Sequence, residues 1–330
     1  MTGRDKLRLA LIGLGKQGLE HLDAADLCEQ AVIVAGVDPD VATRQRVGAL
    51  GYEVELCASL SQLPAQQLDG LVLALPHHCY GDLWDELIGL GLPLLKEKPL
   101  GRSFDEALSF IERARHAGCP VQTAIQRRHH PSYRQLKALI KAAELSVREV
   151  HAHMHLGFAD TTGGETSWRS QRQTAGGGAL LDAGYHLVDL LHYLSGSFDL
   201  VSASLWQQGL PVGEQEIDDR AWLIGRSEQG WIMLDSWRAG EVDPHTGKPR
   251  KSERVILQTN KGVFEANREG VWHEGQQLVS SQRDWRQAMA EQLDDFAGHI
   301  RNGQWHDELI WDQLPAMRVI DEAYRLAARY

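Results

Sequence analysis

The sequence has little of what marks secreted, membrane-spanning or nucleic-acid-binding proteins. Its 330 residues include four cysteines, Cys28, Cys57, Cys79 and Cys119, with no CxxC pair among them. This scatter predicts neither a disulfide framework nor a cysteine zinc site. No apolar run is long enough to span a bilayer. The net charge of −11 argues against a general affinity for nucleic acid or anionic membranes, so we expect neither as a partner.

The chain also lacks internal repeats and low-complexity linkers, and its first residues lack the build of a signal peptide. We therefore expect a cytoplasmic protein, whose 43% hydrophobic and 24% charged residues are typical of a globular fold. At this length two domains are more typical than one. We place a nucleotide-binding domain at 1–125 and a second domain at 126–330, whose last helix could pack back on the first.

The first domain opens with a GxGxxG motif in a favourable context. An apolar run at 7–12 predicts a buried strand, followed at once by Gly13-Leu14-Gly15-Lys16-Gln17-Gly18 and a helical pattern. The three glycines would in turn allow a tight turn, let a pyrophosphate approach the backbone, and let helix and strand pack closely. A second strand, at 31–37, ends in Asp38, where a carboxylate can bind the ribose hydroxyls of NAD.

Strands and helices alternate through the rest of this domain, as in a doubly wound parallel sheet. We expect helices at 39–50, 80–90 and 104–117, and further strands at 68–75, 93–96 and 120–125. In the second domain we expect helices at 133–143, 283–301 and 314–328. Beyond residue 200 the pattern is rich in strands and tryptophan. The predicted fold class is α/β, an N-terminal Rossmann sheet plus a C-terminal α+β domain with a large, mostly antiparallel open sheet.

A glycine triplet, Gly176-Gly177-Gly178, leads directly into an apolar helical pattern that carries Asp182, His186 and Asp189. Residues four apart lie on one helix face, so Asp182 and His186 would be neighbours. The glycines would leave the N–H groups of the first turn open to a ligand, and a carboxylate beside an imidazole suits proton transfer. A solvated Asp–His pair on an ordinary amphipathic helix is the alternative.

Three alternating histidines, His151, His153 and His155, would lie on one face of a strand. Such a set can bind zinc or iron, but no acidic residue or cysteine lies at ligand spacing. We therefore expect no metal site. The segment is either a polar sheet face or a wall of the substrate pocket, which makes His153 and His155 substrate candidates.

Three motifs occur in order along the chain: the GxGxxG motif, Glu97-Lys98-Pro99, and the glycine triplet followed by Asp182 and His186. Together they resemble the Gfo/Idh/MocA family, the glucose–fructose oxidoreductase and inositol dehydrogenase family, over nearly the whole chain. The resemblance implies that Lys98, Asp182 and His186 surround the reacting carbon, and that the Lys98–Pro99 peptide bond is cis.

The sequence departs from the family pattern at one strand end. Members often carry a Thr-Pro pair and a histidine four residues on, whereas this chain has Leu75, Pro76 and Tyr80 in those places.

The cofactor implied is NAD, with NADP as an alternative. We expect it to contact Gly13, Gly15, Lys16, Gln17, Gly18, Asp38, Leu75, Pro76, His77, Glu97 and Lys98. Asp38 would repel the 2′-phosphate of NADP, whereas Arg44 and Arg46 on the following helix could accept it.

Two further segments hold substrate candidates. Arg127 lies in a basic cluster at the expected crossover between domains, where the alternative is a solvated turn. Trp168 and Arg169 precede the glycine triplet, where the family often keeps aromatic and basic residues near cofactor or substrate. The alternative there is an aromatic plug beneath the loop.

These features predict an NAD(P)-dependent oxidoreductase acting on a secondary alcohol or ketone of a sugar, cyclitol or related polyol. His186 would be the general base in oxidation, Lys98 would bind the reacting oxygen, and Asp182 would orient His186. The alternatives are a metal-dependent hydrolase using Asp182 and His186, and a catalytically silent nucleotide-binding sensor. The expected partners are a small-molecule substrate and further copies of the chain, as a homodimer or homotetramer formed through the C-terminal sheet.

Overall fold

The computed structural model describes residues 6–156, 167–213, 216–228, 230–238, 244–245, 247, 251–281, 285–305 and 312–328. The chain divides into two compact units. The first unit comprises Met1–Leu100, Asp105–His129 and Arg283–Gln313, and the second comprises Gly101–Phe104, His130–Gln282 and Leu314–Tyr330. Within the described part of the chain, no helix has the length and apolar character needed to cross a membrane.

Most helices of the described chain fall close to the expected positions, although the sequence does not predict the short α6 and α7 begins later than expected. They are α1 (Lys16–Ala25), α2 (Val41–Ala49), α3 (Cys79–Gly89), α4 (Phe104–His116), α5 (Pro131–Ala142), α6 (Arg172–Ala175), α7 (Tyr185–Ser195), α8 (Trp285–Asn302) and α9 (Leu314–Ala327).

The first unit contains a parallel sheet with the strand order β3-β2-β1-β4-β5-β6. The strands are β1 (Leu7–Ile12), β2 (Ala31–Val37), β3 (Glu55–Cys57), β4 (Gly70–Leu73), β5 (Leu94–Glu97) and β6 (Val121–Ala124). This confirms the doubly wound sheet, although the sequence does not predict the short edge strand β3. The order reverses between β1 and β4, and ligands of such sheets bind at the carboxyl ends of strands beside that point.

The second unit contains a nine-stranded sheet with the order β15-β14-β13-β12-β7-β11-β10-β8-β9. The strands are β7 (Val147–Leu156), β8 (Phe198–Gln207), β9 (Leu210–Pro211), β10 (Arg220–Ser227), β11 (Trp231–Arg238), β12 (Lys251–Thr259), β13 (Gly262–Asn267), β14 (Gly270–His273) and β15 (Gln276–Ser280). Neighbours pair antiparallel except β7 and β11, which are parallel. The large, mostly antiparallel sheet is therefore confirmed.

One face of this second sheet is covered by helices. Alternate residues of β7 and β11 are buried, for example Val150, Ala152 and Leu234, while the residues between them are partly exposed. Helices α5, α7 and α9 pack against the sheet. Successive side chains of a strand point to opposite faces, so the partly exposed residues form the other face, which the described helices leave open as expected.

The compact units differ from the expected division at residue 125. Helix α8 belongs to the first unit, because Met289, Leu293 and Phe296 share a buried core with Leu9 and Leu11 of β1. The final helix α9 belongs to the second unit. The helix that packs into the nucleotide-binding unit is therefore α8, the helix before the last, and not the last helix α9.

Candidate active site

The glycine loop of the first unit has the geometry that its motif predicts. Gly13 has a positive φ of 96°, and a Cβ there would lie 2.5 Å from the carbonyl oxygen of Ala74. A Cβ at Gly18 would overlap the carbonyl oxygen of Gly13, so this glycine permits close packing of helix on strand. Gly15 is exposed, and a Cβ there would meet nothing within 4 Å. The space beside Gly15 fits an approaching pyrophosphate.

The Asp38 carboxylate lies at the end of β2 and supports the same loop. One oxygen accepts a hydrogen bond from the Leu14 N–H at 3.0 Å, and the other accepts one from the Asp40 N–H at 3.0 Å. Arg44 donates to the carbonyl oxygen of Asp38 at 2.5 Å. Arg44 is therefore engaged with the backbone beside this carboxylate, while Arg46 on the same helix is exposed.

The segment that departs from the family pattern is supported from inside the fold. The buried Tyr80 hydroxyl donates to the Leu73 carbonyl at 3.0 Å and accepts from the Leu75 N–H at 3.2 Å. Leu75, Pro76 and His77 remain half-buried at the end of β4. Tyr80 therefore shapes the backbone of this segment rather than presenting a side chain to a ligand.

Glu97 is a buried carboxylate that joins the glycine-motif helix to the segment carrying Lys98. Its Oε1 accepts from Gln17 at 3.3 Å and Gln126 at 3.1 Å, and lies 2.8 Å from Nε2 of the fully buried His21. Its Oε2 accepts the Lys98 N–H at 3.2 Å. Sequence reasoning missed His21, although it lies four residues after Gln17 and so shares its helix face.

Lys96 is a second missed residue at this strand end. Its ammonium is buried, donates to the carbonyls of Glu97 at 3.1 Å and Pro99 at 2.7 Å, and lies 3.7 Å from the Tyr80 ring centroid. Burial lowers the pKa of Lys96 to about 7, although Glu106 and Glu97 act in the opposite direction. The Lys98–Pro99 peptide bond between these carbonyls is cis, as predicted.

Asp182 and His186 lie in the second unit, but not on one continuous α-helix. Leu180–Gly184 forms a π-helical turn, and α7 begins only at Tyr185. The π turn changes the helical spacing between Asp182 and His186 from the one that the sequence predicts. Asp182 is partly exposed, with Oδ2 3.7 Å from the guanidinium of the nearly buried Arg238. His186 is 8% exposed and Asp189 is 1% exposed, so the fully solvated alternative is wrong.

The glycine triplet does not hold its N–H groups open for a ligand, and that expectation was wrong. The Gly178 and Leu180 N–H groups donate to the Asp218 carboxylate at 2.8 and 2.7 Å, and the Ala179 N–H donates to the Asp218 carbonyl at 2.8 Å. Side chains on the triplet would overlap protein atoms, namely Arg102 beside Gly176, Tyr324 beside Gly177 and Asp218 beside Gly178. These glycines permit close internal packing.

The three histidines of β7 lie on the open face of the sheet. His153 is 2.7 Å from the Ser252 hydroxyl, and His155 is 3.0 Å from Asp235. Burial, with His155 and His151 nearby, lowers the pKa of His153 to about 4. Helix α7 packs on the opposite face, so the structure does not bring His153 or His155 together with His186.

The remaining substrate candidates have identifiable surroundings within their own units. Arg127 is 3% exposed, with its guanidinium 5.3 Å from the Trp285 ring centroid, so the solvated-turn alternative is wrong for this residue. Trp168 and Arg169 are half-buried and stack on each other at 4.2 Å. Among the described residues, no three His, Cys, Asp or Glu side chains are grouped so that they could hold a metal ion.

Comparison with known proteins places the chain in a family. Residues 7–125 match the oxidoreductase family with an NAD-binding Rossmann fold, and residues 133–239 match the GFO/IDH/MocA C-terminal domain. The rhizopine catabolism protein MocA of Rhizobium meliloti is 30% identical over 328 residues, covering 98% of this chain and 96% of that protein. The chain belongs to the Gfo/Idh/MocA family. It is therefore an oxidoreductase that uses a nicotinamide dinucleotide, which decides against the metal-dependent hydrolase.

Further relatives of this Gfo/Idh/MocA protein act on cyclic polyols and sugars, by their names. The inositol 2-dehydrogenase of Corynebacterium glutamicum is 25% identical, covering 87% of this chain and 82% of that protein. A levoglucosan dehydrogenase solved with NADH and levoglucosan has a TM-score of 0.83 and 18% identity over 98% of both chains. At that identity the second likeness concerns the fold alone.

Proposed function

We propose that the protein transfers a hydride between a nicotinamide cofactor and a secondary alcohol or ketone of a sugar, cyclitol or related polyol. The observation that carries the proposal is the buried Glu97 carboxylate, which bonds both to the glycine-motif helix and to the backbone of Lys98. An inositol 2-dehydrogenase among the relatives supports the substrate class.

Three residues have separate roles in the reaction. His186 takes the hydroxyl proton during oxidation and returns it during reduction. The Lys98 ammonium donates a hydrogen bond to the reacting oxygen and favours its alkoxide character. Asp182 orients His186 and binds a substrate hydroxyl, and the Arg238 guanidinium lies 3.7 Å from its Oδ2. The bound cofactor supplies or accepts the hydride.

The cofactor is held by the glycine loop and Asp38. The first-turn N–H groups beside Gly15 would bind the pyrophosphate, because no side chain fills the space there. The Asp38 carboxylate would bind the ribose hydroxyls and repel a 2′-phosphate, so NAD is preferred over NADP. The remaining cofactor contacts proposed are those of Lys16, Gln17, Leu75, Pro76, His77 and Glu97.

The protein acts in the cytoplasm as a homodimer or homotetramer. All four cysteines are free thiols, three of them buried, which is typical of proteins from a reducing compartment. The open face of the nine-stranded sheet carries the exposed tryptophans Trp222 and Trp231. Large exposed aromatic side chains on one sheet face favour association with a second copy.

The test is cofactor absorbance measured with a panel of sugars, cyclitols, polyols and keto acids. On the best substrate, His186→Ala should reduce turnover by about 10²–10⁴-fold while leaving NAD affinity nearly unchanged. Lys98→Ala should also reduce turnover, and Lys98→Arg should restore little, because a planar guanidinium does not replace a compact ammonium.

His192→Gln is the matched control for the histidine variant. His192 lies on the same helix but hydrogen-bonds the Val188 carbonyl and stacks on Phe198, so its loss should leave turnover largely intact. Full activity in His186→Ala would contradict the mechanism. A protein that binds NAD and oxidises or reduces no sugar, cyclitol or polyol on the panel would contradict the proposed substrate class.

A further inference from the structure

The π-helical turn and helix that carry Asp182 and His186 have a buried carboxylate at their N-terminus. Asp218 is 1% exposed, and its two oxygens accept the N–H groups of Gly178 and Leu180. Tyr324 of α9 adds a third hydrogen bond, from its hydroxyl to Oδ1 at 2.6 Å. The three groups around this carboxylate are therefore donors, as an ionised acid requires.

The surroundings of Asp218 hold it in this place. The Tyr324 hydroxyl also accepts the Gly178 N–H at 3.2 Å, and the Arg172 guanidinium lies 3.9 Å from the Tyr324 ring centroid. The Ser236 hydroxyl of β11 donates a hydrogen bond to the Ala179 carbonyl at 2.8 Å. The glycines at 177 and 178 are needed because a Cβ at either would overlap Tyr324 or Asp218.

A negative charge at this end of a helical segment has an electrostatic effect. The free N–H groups of a helix N-terminus carry a partial positive charge, which a carboxylate offsets. Burial raises the pKa of Asp218, while the hydrogen bonds from Tyr324, Leu180 and Gly178 and the charge of Arg172 act against that rise. Without the carboxylate, the N–H groups of Gly178 and Leu180 would lose their acceptors, and the turn that carries Asp182 would no longer be held in place.

We propose that Asp218 is a positioning residue for the reaction: its carboxylate fixes the π-helical turn that carries Asp182 and leads into the helix of His186. This inference rests on the proposed function, in which His186 exchanges the substrate proton. Among the described contacts, the Tyr324 hydroxyl bonds Asp218, the Arg172 guanidinium lies over the Tyr324 ring, and the Arg238 guanidinium lies 3.7 Å from Asp182.

The test compares Asp218→Asn with Asp219→Asn. The first change removes the charge and one acceptor at nearly constant size. Asp219 is the next residue but its carboxylate accepts the Gln208 N–H of a hairpin, so its variant is a matched control. Asp218→Asn should lower kcat by about 10- to 100-fold, because the turn is displaced, with NAD affinity unchanged.

Hydrogen exchange separates local positioning from a merely structural role. The Gly178 and Leu180 amide hydrogens should exchange at least about tenfold faster in Asp218→Asn and at the parental rate in Asp219→Asn, while the amides of the sheet core keep their protection. A loss of protection throughout the second unit would overturn the proposal. Because exchange needs no turnover, it tests Asp218 even if no substrate is found and the proposed function fails.

Tyr324→Phe keeps the carboxylate and removes one of its hydrogen bonds. It should lower kcat less than Asp218→Asn and speed the exchange of the Gly178 amide hydrogen less. If Asp218→Asn does not fold, unchanged kcat in Tyr324→Phe overturns the proposal. If Asp218→Asn folds, an unchanged kcat, or an equal fall of kcat in Asp219→Asn, overturns it.

Discussion

Lys96 is the residue with the least expected environment in the first unit. A lysine at a strand end is usually solvated, yet this ammonium is buried and donates to the carbonyls on both sides of Lys98. These two hydrogen bonds hold the backbone of the segment Glu97-Lys98-Pro99 in one conformation. The burial penalty falls on the charged form, which is why its pKa is lowered to about 7.

The Lys96 environment predicts stability that depends on pH. Between about pH 7 and the ordinary lysine value of 10.5, the unfolded chain holds a proton that the folded chain has lost. The free energy of unfolding should therefore rise with pH in this window, by at most about 1.4 kcal/mol per unit. Denaturant unfolding at a series of pH values should show the rise in the parent and lose it in Lys96→Met.

The exposed Lys141 at the end of α5 provides the control for that experiment. Lys141→Met should keep the rise, because this exposed side chain takes no part in the buried contacts of Lys96. A Lys96→Met protein with the same pH dependence as the parent would show that the ammonium titrates normally.

Asp38 should decide the cofactor preference. Its carboxylate is fixed by the N–H groups of Leu14 and Asp40, so it cannot turn away from a 2′-phosphate without losing both bonds. Asp38→Ser should lower the ratio of NAD to NADP affinity, measured by titration calorimetry. Asp40→Ser, which keeps an N-cap side chain on α2, should leave the ratio unchanged. A parent enzyme that prefers NADP would contradict this role.

At the scale of elements, Gly15 and Gly178 have opposite roles, although each belongs to a glycine-rich motif. Gly15 faces open space, whereas Gly178 is packed against Asp218. Gly15→Ala should therefore fold with an unchanged midpoint of thermal unfolding and bind NAD more weakly. Gly178→Ala should lower the free energy of unfolding by about 1–3 kcal/mol, because the new methyl group overlaps backbone.

Thermal unfolding and NAD titration on both glycine variants check this contrast. Unchanged NAD affinity in Gly15→Ala would show that no pyrophosphate approaches that backbone. An unchanged free energy of unfolding in Gly178→Ala would show that the backbone around Asp218 can shift to accommodate the methyl group.

At the scale of the whole molecule, the open sheet face should form the contact between copies. Trp222 and Trp231 are 49% and 47% exposed on neighbouring strands of this face. Replacing both with glutamate should shift the protein toward the monomer in sedimentation at micromolar concentration, because burying unpaired charges in an interface is costly. Leu50→Glu, at an exposed position of the first unit, is the control and should leave the assembly unchanged. A monomeric parent would contradict the proposed assembly.

The sequence by itself determined the nucleotide-binding fold. Strands β1 and β2 begin and end where the apolar runs predict, and the other expected strands and helices up to β6 end within two residues of their predicted limits. Buried parallel strands and amphipathic helices have characteristic spacings of apolar residues, which can be read from a short window of the sequence. The order of the motifs also sufficed to name the family, and the Lys98–Pro99 bond is cis as the resemblance implied.

Only the tertiary structure decided what the second motif contacts. The bonds that cap Gly178 and Leu180 come from Asp218, about forty residues on, and from Tyr324, 146 residues after Gly178. Nothing local distinguishes such partners, because their meeting depends on the packing of α9 and the loop before β10 around the glycines. The sequence of a glycine triplet is the same whether a ligand or a carboxylate of the chain fills the space beside it. That space is defined only in the folded protein.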